Sequence, residues 1–532
     1  MIDCIIKNGR IIDGTGSEET GYDVGIDQGK IVTTGSLDET IARNVIDASG
    51  AVVAPGFIDM HSHADLSLPV IPTADSVLHQ GITTVVFGQC GITPAPIMAP
   101  YRDQLIDDAV NMMGHLTNGY PWEKWTSFGE YLAYIGNMKI SCNVVPLVGH
   151  GIIRNNIMGF GPEKPTKKQL EGMRSEVEKA MDAGAFGISS GLIYPPGCYS
   201  STEELIDLSR VVANRGGFYF SHIRGENETL GDAVAEAISI GRETGVSVQI
   251  SHFKAAGKAN WPLSAQTLRQ IEEARSRGID VSSDMYPYLA GSTSLVTMLP
   301  EWAHDGGPKA TLERLKDSGT RTRMASDMAS GGFSKGVEWD TLLITDCQRR
   351  REWEGRYISE IAGEAGVDPF AWLFDSLLET GLGISMAIFA MSEENRKQEM
   401  KHPFMMFGTD GVGLMVDGPY AQGKPHPRSY GTFPRVLGHY VRETGVMSLE
   451  EAIHKMTGLP AKTLRLADRG TITTDTAADI VIFDPKTITD NATYEDPHRY
   501  ASGIHHVMVN GSLVIQDSQH TGTRPGKVLR LG

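Results

Sequence analysis

The chain of 532 residues is long enough for a large hydrophobic core and for more than one domain. Its 48 Lys and Arg residues are outnumbered by 65 Asp and Glu residues, and the net charge of −17 disfavours nucleic acid and anionic membrane partners. No apolar run reaches the roughly 18 residues that span a bilayer, and the N-terminal sequence lacks the regions of a signal peptide. The five cysteines show no paired spacing. We therefore predict a cytoplasmic protein with reduced cysteines, while its oligomeric state stays open.

Both ends of the chain carry the pattern of short β-strands. Residues 1–54 contain β-branched runs separated by Gly and Asp-Gly turns. The same pattern returns in residues 471–532, where Asn510 and Gly511 predict a hairpin turn. Two half-sheets at opposite ends of the chain predict one small β-sandwich domain to which both termini contribute.

The central part, residues 55–470, has apolar runs separated by amphipathic segments such as 166–183 and 230–244. This alternation is typical of a parallel sheet with crossover helices. Eight runs fit barrel strands, at 52–59, 83–88, 142–148, 185–190, 217–222, 246–252, 280–285 and 404–409. Eight strand and helix units predict an α/β fold of the (β/α)₈ TIM-barrel type.

The interval between the seventh and eighth predicted strands is much longer than one helix needs. It contains a Gly-, Ser- and Asp-rich tract at 316–335 and an extra apolar run at 341–346. Long connections inside compact domains are usually lids or separate insertions. We predict that residues 289–387 form an insertion over the mouth of the barrel; the alternative is a peripheral decoration away from the site.

Polar side chains with metal-binding groups follow the carboxyl ends of five predicted strands. His61 and His63 are two residues apart after the first strand, so that both point to the same side. The other such residues are Cys90, His222, His252 and Asp410. Barrel enzymes place their active sites at this end of the strands. Imidazole, thiolate and carboxylate groups are the usual ligands of zinc, so these residues together predict a zinc site although each alone has an ordinary structural interpretation.

Several motifs surround these residues. They are Gly-Phe-Ile-Asp-Met-His-Ser-His-Ala-Asp, Gly-Ile-Thr-Thr-Val-Val-Phe-Gly-Gln-Cys-Gly, Ser-Gly-Leu-Ile-Tyr-Pro-Pro-Gly, Phe-Ser-His-Ile-Arg-Gly-Glu, Ile-Ser-His-Phe-Lys and Gly-Thr-Asp-Gly. Together they resemble the amidohydrolase superfamily, and specifically its D-aminoacylase, or N-acyl-D-amino-acid deacylase, branch. The resemblance runs over nearly the whole chain.

The resemblance implies how the six predicted ligands are divided between two metal positions. Cys90 with His222 and His252 would hold one tightly bound Zn²⁺ ion, while relatives fill a second position weakly or not at all. That second position would be formed by His61, His63 and Asp410. Many superfamily members have a carboxylated lysine where this branch has the cysteine. The expected reaction is hydrolysis of an N-acyl-D-amino acid by a metal-activated water, with Asp410 as general base and then general acid.

The resemblance also implies which residues contact this small-molecule substrate. They are Lys254, Tyr286 and Ser292 at the α-carboxylate and Tyr194 beside the scissile bond. Lys254 follows His252 by two residues and so shares its side of the strand if the strand extends so far. The alternatives are a solvated loop charge for Lys254 and a core position for Tyr286. Arg428 and His150 are candidates for supporting the site, with a structural role favoured for His150.

Two other functions stay open at this point. The same metal site would serve a cyclic amidase of the hydantoinase or dihydroorotase kind, although those relatives resemble a lysine-bridged design. The chain would also suit a non-catalytic scaffold with the same fold, but such proteins lose metal ligands or the base. Here every expected ligand type is present. The preference for D substrates comes from the resemblance alone, because residue spacing does not reveal the handedness of a pocket.

Overall fold

The eight-stranded parallel barrel is present in the computed structural model, which describes residues 1–531. In chain order the strands are β1 (Ile2–Lys7), β2 (Arg10–Ile11), β3 (Asp23–Asp27), β4 (Lys30–Gly35), β5 (Ala42–Asp47), β6 (Val52–Pro55), β7 (Phe57–Asp59), β8 (Ile82–Phe87), β9 (Asn143–Gly149), β10 (Gly187–Gly191), β11 (Phe218–His222), β12 (Ser247–Ile250), β13 (Val281–Met285), β14 (Ala290–Ser294), β15 (Leu342–Asp346), β16 (Ser385–Phe389), β17 (Met405–Phe407), β18 (Ile480–Phe483), β19 (Ile504–Val509), β20 (Ser512–Gln516) and β21 (Gln519–His520). The barrel consists of β7 to β13 and β17.

The helices lie mostly between the barrel strands. They are α1 (Ala64–Ser67), α2 (Asp75–Leu78), α3 (Arg102–Met113), α4 (Phe128–Met138), α5 (His150–Met158), α6 (Lys167–Asp182), α7 (Thr202–Ala213), α8 (Leu230–Thr244), α9 (Leu263–Ser276), α10 (Pro308–Lys316), α11 (Ser318–Ser330), α12 (Ile358–Ala365), α13 (Pro369–Thr380), α14 (Glu393–Met400), α15 (Arg428–Arg435), α16 (Leu449–Met456) and α17 (Gly458–Thr463). A π-helical segment, Val436–Glu443, continues α15. Within residues 1–531, no helix is both long enough and apolar enough to cross a membrane.

The barrel strands are buried along their whole length, as expected when helices cover a parallel sheet. Each pairs in parallel with its neighbours in chain order. The first and last strands meet where the Met60 N–H donates to the Phe407 carbonyl at 3.1 Å. Helix α6 begins at a capping box formed by Thr166 and Gln169. Helix α8 ends before Gly245, whose φ of +74° is that of the predicted C-cap.

The first predicted strand, 52–59, is wrong as a single element. Residues Val52–Pro55 pair with Ile480–Phe483 in a terminal sheet, and only Phe57–Asp59 belong to the barrel. The chain changes sheets at Gly56, where an added Cβ would lie 2.2 Å from Thr83 Cγ2. Only glycine allows the backbone at position 56 to approach Thr83 of β8 so closely. The Pro55-Gly56 dipeptide between the two apolar runs is the sequence signal of this break.

The terminal segments form two sheets that share one apolar core. A six-stranded sheet has the order β2-β6-β18-β19-β20-β21, and a four-stranded sheet has the order β4-β3-β1-β5. Val24, Ile26, Val53 and Ile480 are among the buried residues between them. The segment after β13 contains a three-stranded antiparallel sheet, β14-β16-β15, together with α10 to α13 and an apolar core of its own. Residues of this insertion border the cavity at the barrel mouth. The exact domain limits given above stay a prediction.

Candidate metal centre

Two groups of metal-binding side chains meet at the carboxyl ends of the barrel strands. One donor atom from each of His61, His63, Cys90 and Asp410 lies within 4.8 Å of the other three, and the same is true of Cys90, His222 and His252. Cys90 belongs to both groups. The structure thus brings together all six residues predicted as ligands.

The Cys90 sulfur is the centre of this arrangement. Cys90 Sγ lies 3.5 Å from His61 Nε2, 3.6 Å from His222 Nδ1 and 3.6 Å from His252 Nε2. Three of the six residues have backbone angles in the left-handed region, with φ of +55° at Cys90, +38° at His252 and +49° at Asp410. Residues other than glycine adopt this backbone region at a cost in free energy, and such backbone strain is concentrated at functional sites.

The protonation states of these groups suit a metal ion. Burial lowers the pKa values of His222 and His252 well below the ordinary range, so both imidazoles are neutral and offer lone pairs. Burial raises the pKa of the Cys90 thiol well above its ordinary value, and nearby Asp410 adds to this effect. A thiolate in this position therefore needs a bound cation. Neutral imidazole and thiolate form a donor set that Zn²⁺ prefers, so the residues fit the ion.

Asp410 connects the second group of donors to a buried arginine. Its Oδ1 lies 3.3 Å from His63 Nε2 and 3.4 Å from His61 Nε2, and its Oδ2 lies 2.7 Å from Arg428 Nη1. Burial acts to raise the pKa of Asp410, but the charges of Arg428 and His61 outweigh it and hold the pKa well below the ordinary value. The side chain is therefore a carboxylate near neutral pH.

Glu226 is a site residue that the sequence analysis missed. Its Oε1 lies 3.0 Å from His252 Nδ1 and 2.5 Å from Lys254 Nζ. It pairs with Lys254, the residue proposed to contact the substrate, and Lys254 Nζ in turn lies at hydrogen-bond distance, 2.9 Å, from His252 Nδ1. Glu226 and Lys254 therefore both lie beside the His252 ring, whose other nitrogen faces Cys90. The sequence feature that could have identified Glu226 is its position at the end of the motif Phe-Ser-His-Ile-Arg-Gly-Glu, four residues after His222.

Lys254 is 7 % exposed, so its interpretation as a solvated loop charge is wrong. Burial lowers the pKa of Lys254, but the Glu226 carboxylate outweighs this effect and the pKa lies above its ordinary value. Its ammonium group lies 5.7 Å from the ring centre of Tyr286, and the Arg428 guanidinium lies 4.9 Å from the same ring. Tyr286 thus has two cations close to its ring at the wall of the site.

Two aspartates anchor the strand ends that carry the ligands. Asp59 accepts hydrogen bonds from the backbone N–H groups of His61 and Thr409, and Asp284 accepts one from the N–H of His252 at 2.7 Å. Both side chains are buried. Sequence reasoning did not single them out, because an acidic residue inside an apolar run carries no spacing signal.

The other predicted residues divide into two groups. Tyr194 and Ser292 line the same cavity as Cys90, and the Tyr194 ring lies 5.0 Å from that of His222. This cavity has a volume of about 1580 Å³. His150 instead is buried with its Nε2 2.9 Å from Glu204 Oε1, outside both groups of metal donors. A structural role for His150 is therefore favoured.

A sequence model of the Amidohydrolase family matches residues 44–515. A D-aminoacylase of Alcaligenes xylosoxydans xylosoxydans is 37 % identical over 530 residues, which cover 99 % of this chain and 97 % of that protein. The crystal structure of N-acyl-D-glutamate deacylase from Bordetella bronchiseptica, complexed with zinc and a phosphonate mimic of the tetrahedral intermediate, has a TM-score of 0.82 at 35 % identity and 99 % coverage of both chains. A D-aminoacylase structure with a binuclear metal centre, described by one-metal activation and second-metal attenuation, matches with the same TM-score and identity over 100 % of both chains.

Proposed function

Because this chain belongs to the amidohydrolase family, we propose that it is a zinc-dependent hydrolase of N-acyl-D-amino acids that releases a carboxylate and a free D-amino acid. The observation that carries the proposal is the shared Cys90, which lies in both groups of metal donors at the wall of a large cavity. Relatives that cover nearly the whole chain are named for the deacylation of D-amino acids. The reaction type and the D preference follow from those relatives.

Cys90, His222 and His252 would hold the tightly bound Zn²⁺ ion. His61, His63 and Asp410 would complete a second position that shares the Cys90 sulfur. When bound, the metal supplies a Lewis acid for the scissile carbonyl and lowers the pKa of water toward about 7. Asp284 fixes the backbone of His252 through its N–H, and Lys254 Nζ and Glu226 Oε1 both lie within 3.0 Å of the His252 ring Nδ1.

Asp410 is the proposed general base and general acid. The ion pair with Arg428 keeps the side chain ionised and leaves Oδ1 directed toward His61 and His63. The carboxylate would take a proton from the attacking water and give it to the leaving amine nitrogen. Both transfers occur at the same carboxylate, so its position must be fixed through the cycle.

Lys254, Tyr286 and Ser292 are the proposed contacts of the substrate α-carboxylate. Lys254 is already paired with Glu226, which holds its ammonium group at the wall of the cavity. Arg428 also lies close to the Tyr286 ring, and its Nη2 donates to the Ser292 carbonyl at 3.4 Å. Tyr194, whose hydroxyl lies 3.2 Å from Thr293 Oγ1, would lie beside the scissile bond.

The expected partner is a small N-acyl amino acid, without nucleic acid or membrane partners. A cytoplasmic location is also proposed, because all five cysteines are unpaired in the structure and a reducing compartment keeps thiols in this form. A non-catalytic scaffold is not favoured, since the metal donors and the Asp410 carboxylate are all in place around an open cavity. A cyclic amidase is not favoured either, because Cys90 occupies the position shared by the two groups of donors, where those relatives resemble a lysine-bridged design.

The test compares linear and cyclic amides. Purified zinc-loaded protein is incubated with N-acetyl-D-leucine, a hydantoin and dihydroorotate, and the ring-opened or deacylated products are quantified. We expect release of D-leucine and little opening of either ring. Turnover of the cyclic amides alone would assign the site to a cyclic amidase, and absence of any turnover by metal-loaded protein would favour the scaffold.

A further inference from the structure

One helix of the barrel mouth presents an apolar face to the cavity. Leu105, Ala109, Met112 and Leu116 line the cavity from α3 and the turn that follows it. Leu105, Ala109 and Met112 are four and three residues apart, which places them on one side of α3, and Leu116 lies in the 3-10 turn that follows. Val110, on another side of the same helix, is 41 % exposed to solvent.

Apolar groups from the loop after β8 and from α5 also line the cavity. Ile92 follows β8, and Ile152 belongs to α5 after β9. We call the space lined by Leu105, Ala109, Met112, Leu116, Ile92 and Ile152 the apolar arm. The insertion packs closely nearby, because a Cβ added at Gly307 would lie 2.9 Å from Phe160 Cδ2.

The apolar arm and the proposed carboxylate contacts lie on opposite sides of the barrel. Ile92 follows the second barrel strand, and Ile152 follows the third. Lys254 and Tyr286 follow the sixth and seventh strands, which are four positions away in the eight-stranded order. In a closed barrel of eight strands, a separation of four is the far side.

This arrangement sets the direction of a bound substrate. If the α-carboxylate lies against Lys254 and the amide lies over the Cys90 groups, the acyl chain extends away from the carboxylate. The far side of the cavity is the apolar arm. We propose that the apolar arm binds the acyl group of the substrate, so that the protein prefers N-acyl-D-amino acids with medium-length apolar acyl chains over N-acetyl substrates. The proposal rests on the proposed function.

The size and polarity of the arm agree with such a chain. Leu105 and Met112 are seven residues apart, which corresponds to about 10 Å along the helix axis. One carboxyl, Asp108, lines the cavity from the same helix. Burial raises the pKa of Asp108 to about 7, so a large fraction of this carboxyl is neutral near neutral pH.

The test measures kcat/KM for N-acetyl-, N-butanoyl-, N-hexanoyl- and N-octanoyl-D-leucine with the zinc-loaded protein. Each methylene that enters an apolar pocket is expected to raise kcat/KM by about fourfold. Four methylenes separate acetyl from hexanoyl, so we expect a rise of about 250-fold between these two substrates. A flat or falling series with active enzyme would overturn the inference and leave the proposed function intact. No hydrolysis of any member would overturn both.

Two variants of neighbouring residues on α3 give a matched comparison. Ala109→Trp fills the arm and is expected to lower the octanoyl-to-acetyl ratio of kcat/KM at least tenfold. Val110→Trp places the same ring on the solvent side of the helix, and we expect its octanoyl-to-acetyl ratio of kcat/KM to equal that of the wild-type protein. Equal ratios in both variants would contradict the inference. Inhibition of the unchanged protein by octanoate and acetate gives a readout that needs no variant: octanoate is expected to inhibit more strongly, and equal inhibition would contradict the arm's role.

Discussion

Arg428 Nη1 lies 2.7 Å from Asp410 Oδ2, and both side chains are buried at the wall of the cavity. The pair leaves Asp410 Oδ1 within 3.4 Å of the imidazoles of His61 and His63. One carboxylate therefore meets a permanent cation through one oxygen and metal-binding rings through the other. This arrangement suits a group that accepts and returns a proton beside a metal ion.

Asp410→Asn is expected to lower kcat by a factor on the order of 10² to 10⁴, because the amide keeps the shape of the side chain but does not accept the proton. The zinc held by Cys90, His222 and His252 should remain. Steady-state kinetics with N-acetyl-D-leucine and zinc analysis of the same preparation measure both effects. The exposed Asp107→Asn is the control and should retain activity. Nearly normal turnover in Asp410→Asn would show that the base is another group.

The two groups of donors are expected to respond differently to substitution. His222→Asn removes a ligand of the proposed tight position and should lower both zinc content and activity. His63→Asn removes a ligand of the second position only and should lower activity more than it lowers tightly bound zinc. Metal analysis after gel filtration, together with kcat, tests the difference. If His63→Asn lost zinc as completely as His222→Asn, the histidine pair would belong to the tight position.

Glu226→Gln is expected to lower zinc affinity by about 10- to 100-fold, since it removes a negative charge 3.0 Å from His252 Nδ1 that strengthens the basicity of the ring. The change also leaves the buried Lys254 cation without its counter-charge, which should lower the melting temperature. Chelator competition and thermal unfolding measure the two effects. Glu228→Gln is the matched control, because Glu228 pairs with Lys335 at the surface and such pairs contribute little. Similar zinc affinity in the two variants would contradict the role of Glu226.

Asp108 gives the unfolding free energy a pH dependence of known sign. Its folded pKa of about 7 exceeds the ordinary value of 3.8, so the folded protein binds more protons between these values than the unfolded chain does. The contribution of this group to stability is full below about pH 4 and is lost as pH rises through about 7. Asp108→Asn should therefore lose less stability than the unchanged protein between pH 5 and pH 8. Urea unfolding at both pH values measures this, with the exposed Asp107→Asn as control. Parallel losses in all three proteins would contradict the shift.

The barrel and the six donors were predictable from sequence because each donor follows an apolar run at the same end of the sheet. Glu226 was missed, since its contacts with His252 and Lys254 depend on how two loops fold onto each other. The division of the first strand at Gly56 was also missed, because the contact that requires glycine there is with Thr83, which is distant in the sequence. Local periodicity thus predicted which residues reach the site, whereas contacts between separate loops decided which groups support them.

The most direct test of the central claim is amino-acid release from N-acetyl-D-leucine and N-acetyl-L-leucine by metal-free protein and by the same protein titrated with Zn²⁺. The account predicts D-leucine release that rises with zinc until about one equivalent is bound, with much slower release of L-leucine. Preference for the L substrate, or equal activity with and without zinc, would contradict it.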